Sequence, residues 1–281
     1  MPSRISAPVK LLSYGDLIEK GEYKLHYRFE RAVNLRKGQS LLTILPAGRP
    51  AGPFNVVLEE LPEKISKVSF DGKAFRLNGE KAALPRGAKY DSRLAVSKIP
   101  AARLTANLQH LRKLICASAP PKSAVFLLDA ARETRFKTGF ERRFVTRMKE
   151  AAVNLAMGAY EAGAAGMKGL GFGMTPSGDD FLGGYLLGIN AAEMYSGKNL
   201  GLVKERVYTA ALGSNLVSNA FLTGSFKGRA DERVNAVIKA LFSPSNRSTA
   251  KAAEELLAVG HTSGGDIAAG FLYGFYGVMN I

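Results

Sequence analysis

The feature that most constrains the fold of this chain is an internal repeat in its second half. Twelve residues, Ser177–Gly188, align without a gap with Ser263–Gly274, and six of these positions are identical. The shared pattern is Ser-Gly-x-Asp-x-x-x-Gly-(Tyr/Phe)-Leu-x-Gly. In each copy a polar sequence leads directly into an apolar stretch, which is typical of the start of a buried helix. The repeat therefore predicts two related helices, each preceded by a polar loop.

Two glycines in each copy lie four residues apart, at Gly184 and Gly188 and at Gly270 and Gly274. Residues with this spacing share one face of a helix. A glycine inside a helix costs about 0.5–1 kcal/mol relative to alanine, and close helix–helix contact would offset that cost. We therefore predict that the two helices pack closely, with both N-terminal loops at one end and less than roughly 20 Å apart, so that they form one composite site.

The residues before each helix have the chemistry of helix caps. Thr175, and Thr262 or Ser263, are candidate N-cap residues, because a hydroxyl oxygen can accept a hydrogen bond from a free backbone amide. Pro176 suits the first helical position. A capped helix that follows a flexible loop would explain these residues without any functional site.

Acidic residues follow in the first turns, where the helix dipole stabilises negative charge. Asp179 and Asp180 are adjacent, and Asp266 occupies the position of Asp180 in the second copy. Two neighbouring carboxylates exceed what capping needs, and their repulsion has to be offset by a cation or a metal ion. Lys168 is a candidate for that cation, and Mg²⁺ held by Asp179 and Asp180 is a candidate cofactor; a solvated lysine is the alternative for Lys168.

A glycine-rich segment leads into the first helix, with Gly169, Gly171 and Gly173 at alternate positions. Glycines of this kind allow a ligand to approach backbone amides, and helix N-termini bind anions. The segment lacks the Gly-Lys-Ser/Thr ending of a phosphate-binding P-loop and has the wrong spacing for a dinucleotide fingerprint. It therefore predicts an anion site without naming the ligand.

The candidate site residues fall into two groups. Candidates for chemistry are Asp179, Asp180, His261 and Lys168, of which the histidine is singled out because it directly precedes the second loop. Candidates for substrate binding are Gly169, Gly171, Gly173, Thr175, Ser177, Gly178, Thr262, Ser263, Gly264, Asp266 and Asn215. Asn215 is polar within an apolar helical stretch, so it either lines the site or forms a hydrogen bond inside the core.

The first hundred residues have the pattern of a β-rich domain. Short runs rich in β-branched, aromatic and leucine residues are separated by turn sequences, of which Asp71-Gly72 is a strong hairpin signal. The predicted strands are Tyr23–Phe29, Ser40–Leu45, Phe54–Glu59, Ile65–Phe70 and Ala74–Leu77. Several short strands of this kind favour a small barrel or sandwich.

The pattern becomes helical near Pro100, so we predict an α+β chain. Its β-rich, barrel- or sandwich-like domain covers residues 1–100, and a Gly/Ala-rich all-helical domain covers 101–281. The predicted helices are Ala101–Cys116, Phe140–Ala162, Phe181–Tyr195, Leu202–Thr223, Glu232–Leu241, Thr249–Val259 and Ile267–Val278. Arg142, Arg143, Arg147 and Lys149 are interpreted as a solvated helix face.

Composition narrows the classes of function. The net charge is +15, which would suit nucleic acid, an acidic protein partner or an anionic small substrate. The basic residues are scattered and there is no tryptophan, which argues against a dedicated nucleic-acid reader. A single cysteine excludes an internal disulfide and favours the reducing cytoplasm, and no apolar stretch is long enough to predict a membrane span.

The two polar segments resemble those of a known family. Gly169-Leu-Gly-x-Gly-x-Thr-Pro-Ser-Gly-Asp-Asp-Phe-Leu182, followed by Gly260-His-Thr-Ser-Gly-x-Asp266, is similar to the AllH-type domain family. The resemblance is expected to extend over most of the chain, with a variable β-rich front and both motifs in the helical back. One branch of that family is assigned as a subunit of oxamate carbamoyltransferase in anaerobic allantoin degradation.

The resemblance implies a function. The reaction would be carbamoyl phosphate plus oxamate giving oxalurate and phosphate, run in reverse for catabolism, and it would involve partner protein subunits. Such a transfer requires two anions to be oriented and a developing oxyanion to be stabilised. Two other hypotheses remain open: a stand-alone metal-dependent enzyme acting on a phosphorylated or carboxylated metabolite, and a non-catalytic scaffold subunit that binds an anion.

Overall fold

The computed structural model describes residues 9–82, 84–171 and 173–279. They form two compact units, the first ending at Ser92 and the second beginning at Arg93. The first unit is β-rich and the second is helical, which confirms the α+β prediction. The division between the units falls slightly before the boundary expected near residue 100.

The first unit contains a single curled sheet with the shape of a half-barrel. In the described part of the unit, strands β1 to β9 are Leu11–Gly15, Gly21–Phe29, Ala32–Lys37, Ser40–Pro46, Asn55–Leu58, Lys67–Phe70, Phe75–Leu77, Glu80–Ala82 and Lys89–Tyr90. Their order across the sheet is β8-β7-β6-β2-β3-β4-β5-β1-β9. Pairing is antiparallel except for β4 with β5 and β1 with β9, which are parallel.

The five predicted strands all exist, and the Asp71-Gly72 turn joins β6 to β7 as expected. The Asp71 carboxylate closes this turn by accepting hydrogen bonds from the amides of Lys73 and Ala74, both 2.7 Å long. The sequence missed β1, β3, β8 and β9. Two of these are only two or three residues long, and tertiary pairing rather than local propensity defines such strands.

The second unit contains helices α1 to α9 in its described part. Their bounds are Ala101–Ser118, Gly139–Ala156, Tyr160–Met167, Ser177–Ser196, Gly201–Ala211, Leu216–Phe226, Glu232–Leu241, Thr249–Leu257 and Ser263–Met279. Two short 3₁₀ helices, Ala124–Leu127 and Ala130–Arg135, lie between α1 and α2. None of the helices in this described part is both long and apolar enough to cross a membrane.

Two predicted helices were wrong because each is broken in two. The stretch Phe140–Ala162 is divided between α2 and α3 at Gly158, whose φ of 80° lies in the left-handed region that ends helices. The stretch Leu202–Thr223 is divided between α5 and α6. Asn215 starts the second of these helices, because its side-chain oxygen accepts hydrogen bonds from the amides of Val217 and Ser218.

Helices α4 and α9 form the centre of the helical unit. Every residue from Ser177 to Ala192 is buried, and so is every residue from Gly264 to Leu272. Such helices, apolar on all sides, are stable only when surrounded by other elements. The two repeats therefore occupy the core of this unit, and their polar N-terminal residues are buried with them.

Candidate functional site

Helices α4 and α9 contact each other through their glycines. A Cβ added at Gly184 would lie 2.1 Å from the carbonyl oxygen of Ile267, and one added at Gly270 would lie 2.0 Å from that of Phe181. These two contacts are equivalent under the sequence repeat. A methyl group cannot fit at such distances, so the close approach requires glycine and explains why its cost within a helix is tolerated.

A second pair of contacts follows one turn later. A Cβ at Gly188 would lie 2.2 Å from the Phe271 carbonyl oxygen, and one at Gly274 would lie 2.2 Å from that of Tyr185. Residue numbers increase in the same direction along both helices, so α4 and α9 are parallel and related by an approximate two-fold axis. The predicted contact through glycine faces is confirmed, and both N-termini lie at the same end.

The two polar loops meet at that end. The hydroxyl oxygens of Thr175 and Ser263 are 3.4 Å apart, which confirms the prediction that the loops lie well within 20 Å of each other. Thr175 and Ser263 are half-buried, whereas Asp180 and Asp266 lie beneath them with 3% and 0% of their surfaces exposed. The site therefore has a rim of hydroxyls and a floor of carboxyl groups.

The predicted capping roles at α4 are wrong. Pro176 occupies the N-cap position rather than the first helical position, and α4 has no side-chain cap. Thr175 lies one residue further out, and its hydroxyl donates a 3.0 Å hydrogen bond to Oδ2 of Asp180. At the second helix, Thr262 directly precedes α9, and its carbonyl accepts the Asp266 amide at 3.0 Å.

The motif glycines serve the fold rather than presenting free amides. The Gly178 amide donates to the Leu170 carbonyl at 2.8 Å, and the Gly264 amide donates to the Val259 carbonyl at 3.2 Å. A Cβ at either glycine would lie 1.9 Å from a carbonyl oxygen, that of Met167 or of Leu256 respectively. The amides of Gly178 and Gly264 are thus already hydrogen-bonded within the protein. A ligand at this end of the helices would instead contact the hydroxyl and carboxyl groups of the two motifs.

Burial dominates the electrostatics of Asp180. Loss of hydration raises the pKa of this carboxyl group to about 8, and the nearby charges of Asp266 and Asp179 raise the pKa further. The hydroxyls of Ser263 and Thr175 oppose the shift by hydrogen bonding to the charged form. Asp180 therefore holds a proton through much of the neutral range.

Asp266 has a matching environment. Burial raises its pKa to about 7, against the opposing effects of the Ala124 amide and of the hydroxyls of Thr262 and Ser177. Its Oδ1 accepts the Ala124 amide at 2.5 Å. Its Oδ2 is buried and accepts no hydrogen bond from the described residues. An oxygen in that situation is well suited to carry the proton of a neutral acid.

The repeat produces a crossed arrangement. The hydroxyl of Ser263, in the second motif, lowers the pKa of Asp180 in the first motif. In the same way, the hydroxyl of Ser177, in the first motif, lowers the pKa of Asp266 in the second. The pKa of each carboxyl group therefore depends on a hydroxyl from the other copy of the repeat. Two acids that titrate near neutral pH can donate hydrogen bonds to an anion, or can hold and release a proton during a reaction.

Asp179 is separate from this pair. Its Oδ1 accepts the Gly169 amide at 2.7 Å and so ties the glycine-rich loop to α4. Gly169, Gly171 and Gly173 all have positive φ values, of 70°, 113° and 95°, which confirms that the loop needs glycine. Adjacent carboxylates thus have different partners. Across residues 9–82, 84–171 and 173–279, no group of three His, Cys, Asp or Glu side chains could hold a metal ion.

Three further candidates lie around the loops. The exposed Lys168 donates from Nζ to the Leu212 carbonyl at 3.1 Å, at the end of α5. Asn215 donates from Nδ2 to the Met174 carbonyl at 2.7 Å and so fixes the loop before Thr175. His261 is exposed beside Thr262, and none of the hydrogen bonds among the described residues involves its imidazole.

Sequence reasoning missed the segment around Ala124, whose backbone amide bonds Asp266. This segment lies close to α9, because a Cβ at Gly265 would be 2.9 Å from the Cβ of Ser123. Arg132 fixes the preceding turn by donating to the carbonyls of Cys116 and Ala119, at 2.7 and 2.5 Å. A backbone amide has no side-chain signature, so no sequence signal could have identified this contact.

Comparison with known proteins found a family match within the helical unit. Residues 167–275 match the family described as oxamate carbamoyltransferase subunit AllH. This match supports an AllH-type domain in this segment. The match starts in the last residue of α3 and ends within α9, so it includes both motifs but covers less of the chain than the resemblance led us to expect. No curated protein and no solved structure matched the chain.

The AllH match confirms the resemblance on which the sequence analysis relied. The family description names a subunit, which suggests partner chains, and it names oxamate carbamoyltransferase as the enzyme to which that subunit belongs. The matched segment of this chain contains all of the candidate site residues. The roles of the individual side chains are the subject of the proposal that follows.

Proposed function

We propose that this chain is a subunit of a carbamoyl-transferring enzyme, and that the ends of α4 and α9 bind an anionic small substrate. The observation that carries the proposal is the buried pair Asp180 and Asp266, one from each repeat, which titrates near neutral pH beneath a rim of hydroxyls. The AllH-type match supports the reaction class.

The parallel helices favour an anion at this end. Both helix dipoles direct their positive ends toward the same site, so their effects add. Two ionised carboxylates would cancel that effect. Because the pKa values of Asp180 and Asp266 are raised, the acids are substantially protonated at neutral pH and can donate hydrogen bonds to a carboxylate or phosphate oxygen.

Carbamoyl transfer gives such a pair a chemical role. The amide nitrogen of oxamate bonds to the carbamoyl carbon and loses a proton, while the bond from that carbon to the phosphate oxygen breaks and phosphate leaves. Because burial raises the pKa values of both carboxyl groups and each group opposes ionisation of the other, the pair can lose one proton and keep the second. The ionised group can accept the amide proton, and the neutral group can stabilise the developing charge on oxygen.

Other residues would complete the site. The glycine-rich loop and Asn215 lie next to Thr175 through contacts already described, and we propose that they enclose the substrate. Lys168 and His261 are exposed near these loops and would add positive charge or a proton-transfer group. The Mg²⁺ that the sequence suggested does not fit Asp179 and Asp180 in this arrangement, because Asp179 is bonded to the Gly169 amide and burial keeps a proton on Asp180. Partner subunits would supply the remaining binding groups.

A ligand-dependent thermal melt of the full chain tests the proposal. The ligands are carbamoyl phosphate, oxamate and phosphate, each with and without Mg²⁺. A ligand at 100 times its Kd adds about 2.7 kcal/mol, which shifts the midpoint by a few degrees. We expect this shift in the wild type, its loss in Asp180→Asn and Asp266→Asn, and its retention in Asp71→Asn, which alters an exposed turn of the β-rich unit.

Activity of the assembled enzyme provides the second readout. Asp180→Asn and His261→Ala should reduce kcat, and undiminished activity of both variants would defeat the proposed catalytic assignment. Ligand-induced stabilisation without turnover in any assembly would instead support a non-catalytic, anion-binding subunit. Turnover by this chain without partners would support the stand-alone enzyme.

A further inference from the structure

Helix α6 runs in the same direction as α4 and starts at the same end. Three contacts show this direction: the Asn215 side chain bonds the Met174 carbonyl, a Cβ added at Gly183 would lie 2.1 Å from the Phe221 ring, and the Asn190 side chain donates to the Ser225 carbonyl at 2.9 Å. Residue numbers increase together along the two helices. The starts of α4, α6 and α9 therefore all lie at one end of the helical unit.

The segment before α6 is held against the glycine-rich loop. A Cβ added at Gly213 would lie 3.5 Å from Cδ of Lys168. The Asn219 side chain closes the segment, because its Oδ1 accepts the Gly213 amide at 3.0 Å and its Nδ2 donates to the Gly213 carbonyl at 2.8 Å. The position of the α6 start is thus fixed before any ligand binds.

Ser218 lies on the face of α6 that packs against α4. It is the third residue of the helix and comes three residues before Phe221, so the two side chains share one face. Asp180 likewise comes three residues before Gly183, which contacts Phe221. Because the two helices are parallel, Ser218 lies at the level of Asp180.

The Ser218 hydroxyl has no internal partner. The residue is 2% exposed, and its Oγ forms no hydrogen bond with any described residue. A serine in a helix often bonds a carbonyl of the preceding turn, and this one does not. Oδ2 of Asp266 is a second buried, unpaired atom in the first turn of a helix at this end. Buried polar atoms are usually paired, so these two indicate a group that the described residues do not supply.

We propose that the start of α6 belongs to the substrate site and that the Ser218 hydroxyl donates a hydrogen bond to an oxygen of the anionic substrate. This inference rests on the proposed function, which places that substrate at the ends of α4 and α9. The positive end of the α6 dipole adds to those of the other two helices. A hydrogen bond to a charged carboxylate or phosphate oxygen is stronger than one between neutral groups.

Ser225 provides a matched control within the same helix. It shares the α4-facing side of α6 with Ser218, and its Oγ is also buried without a hydrogen bond to any described residue. It lies seven residues further along, which is about 10 Å along the helix axis, beside Asn190. A substrate at the helix starts would contact Ser218 and not Ser225.

Isothermal titration of the full chain with oxamate and with inorganic phosphate tests the proposal. Ser218→Ala should weaken the binding of at least one of these anions about tenfold, the effect of losing a hydrogen bond to a charged group. A loss confined to oxamate would identify a carboxylate as the group bound, and a loss confined to phosphate would identify a phosphate. Ser225→Ala should bind both anions as the wild type does.

Thermal melts without ligand separate binding from folding. Each variant removes a buried hydroxyl that has no partner, so each should melt at or above the temperature of the wild type. A lower melting temperature for Ser218→Ala would overturn the proposal, because the hydroxyl would then stabilise the fold itself.

Two binding results would also overturn the role of Ser218. They are an unchanged affinity of Ser218→Ala for an anion that the wild type binds, and an equal loss of affinity in Ser225→Ala. Both require binding by the wild type, so the proposed function would stand. If the wild type bound neither anion, the proposed function would fail and this inference would fail with it.

Discussion

The hydroxyl oxygens of Thr175 and Ser263 lie 3.4 Å apart although 88 residues separate them in the chain. The Thr175 hydroxyl also donates a hydrogen bond to Asp180, and the Ser263 hydroxyl, from the other copy of the repeat, lowers the pKa of the same carboxyl group. Asp180 is thus the point at which the two motifs meet. The effect of a substitution in one motif on the free energy of unfolding should therefore depend on the residues of the other motif. That energetic coupling can be measured.

A double-mutant cycle at Thr175 and Ser263 measures this coupling directly. Thr175→Val and Ser263→Ala each remove one hydroxyl from the surroundings of Asp180, so each should lower the free energy of unfolding. Since they share one partner, their effects should be non-additive by about 0.5–1 kcal/mol. The measurement is urea unfolding of the helical unit at pH 7, and strict additivity would contradict direct communication between the motifs.

The glycine contacts between α4 and α9 predict a large and selective loss of stability. Gly270→Ala places a methyl group where a Cβ would lie 2.0 Å from the Phe181 carbonyl oxygen, so the helices must separate. We expect a loss of roughly 3 kcal/mol or more in the free energy of unfolding. Thermal unfolding followed by circular dichroism measures this loss.

Gly277→Ala in the same helix is the matched control. A Cβ there would have no neighbour nearer than the Tyr185 hydroxyl at 4.0 Å. Alanine should raise the stability by about 0.5–1 kcal/mol, because it costs less helix entropy than glycine. If the two variants lost equal stability, the close contact of α4 with α9 would be wrong.

The raised pKa of Asp180 predicts that stability falls as pH rises. The unfolded chain loses this proton near its ordinary pKa of 3.8, whereas the folded chain holds it until about pH 8. Between these values the unfolded state binds fewer protons, so the free energy of unfolding decreases with pH. Asp180→Asn removes this dependence and should be more stable than the wild type at pH 8, by on the order of 1–3 kcal/mol.

Urea unfolding at pH 5, 6.5 and 8 tests this sign. Asparagine keeps an acceptor for Thr175, so the variant isolates the charge. Asp71→Asn is the opposite control, because backbone amides of Lys73 and Ala74 lower the pKa of Asp71. That variant should lose stability at high pH rather than gain it. Parallel pH profiles of the wild type and Asp180→Asn would show that Asp180 ionises normally.

Asp179 should control the order of the glycine-rich loop rather than proton transfer. Asp179→Ala removes the acceptor of the exposed Gly169 amide, which water can then solvate, so we expect a loss of about 0.5–1.5 kcal/mol, the net contribution of one hydrogen bond. Hydrogen exchange of the Gly169 amide should then accelerate. Asp179→Asn keeps an acceptor and should restore most of the protection, whereas equal exchange in all three proteins would exclude this role.

The sequence alone determined much about this protein. Its strand-rich front, its helical back and the repeat around Ser177 and Ser263 follow from local patterns, because periodicity, turn residues and glycine spacing depend on neighbours along the chain. The glycine pairs even indicated which helices contact each other, since only close backbone contact offsets their cost. The AllH-type segment was recognisable from the same residues.

Tertiary structure decided the chemistry at the helix starts. Sequence predicted that Asp179 and Asp180 act together and that Thr175 caps a helix, whereas folding directs Asp179 to Gly169 and Thr175 to Asp180. It also brings Asp266 under the same rim and buries both acids, which raises their pKa values. Burial and long-range contact depend on the whole fold rather than on adjacent residues, so only the three-dimensional structure identifies Asp180 and Asp266 as the pair.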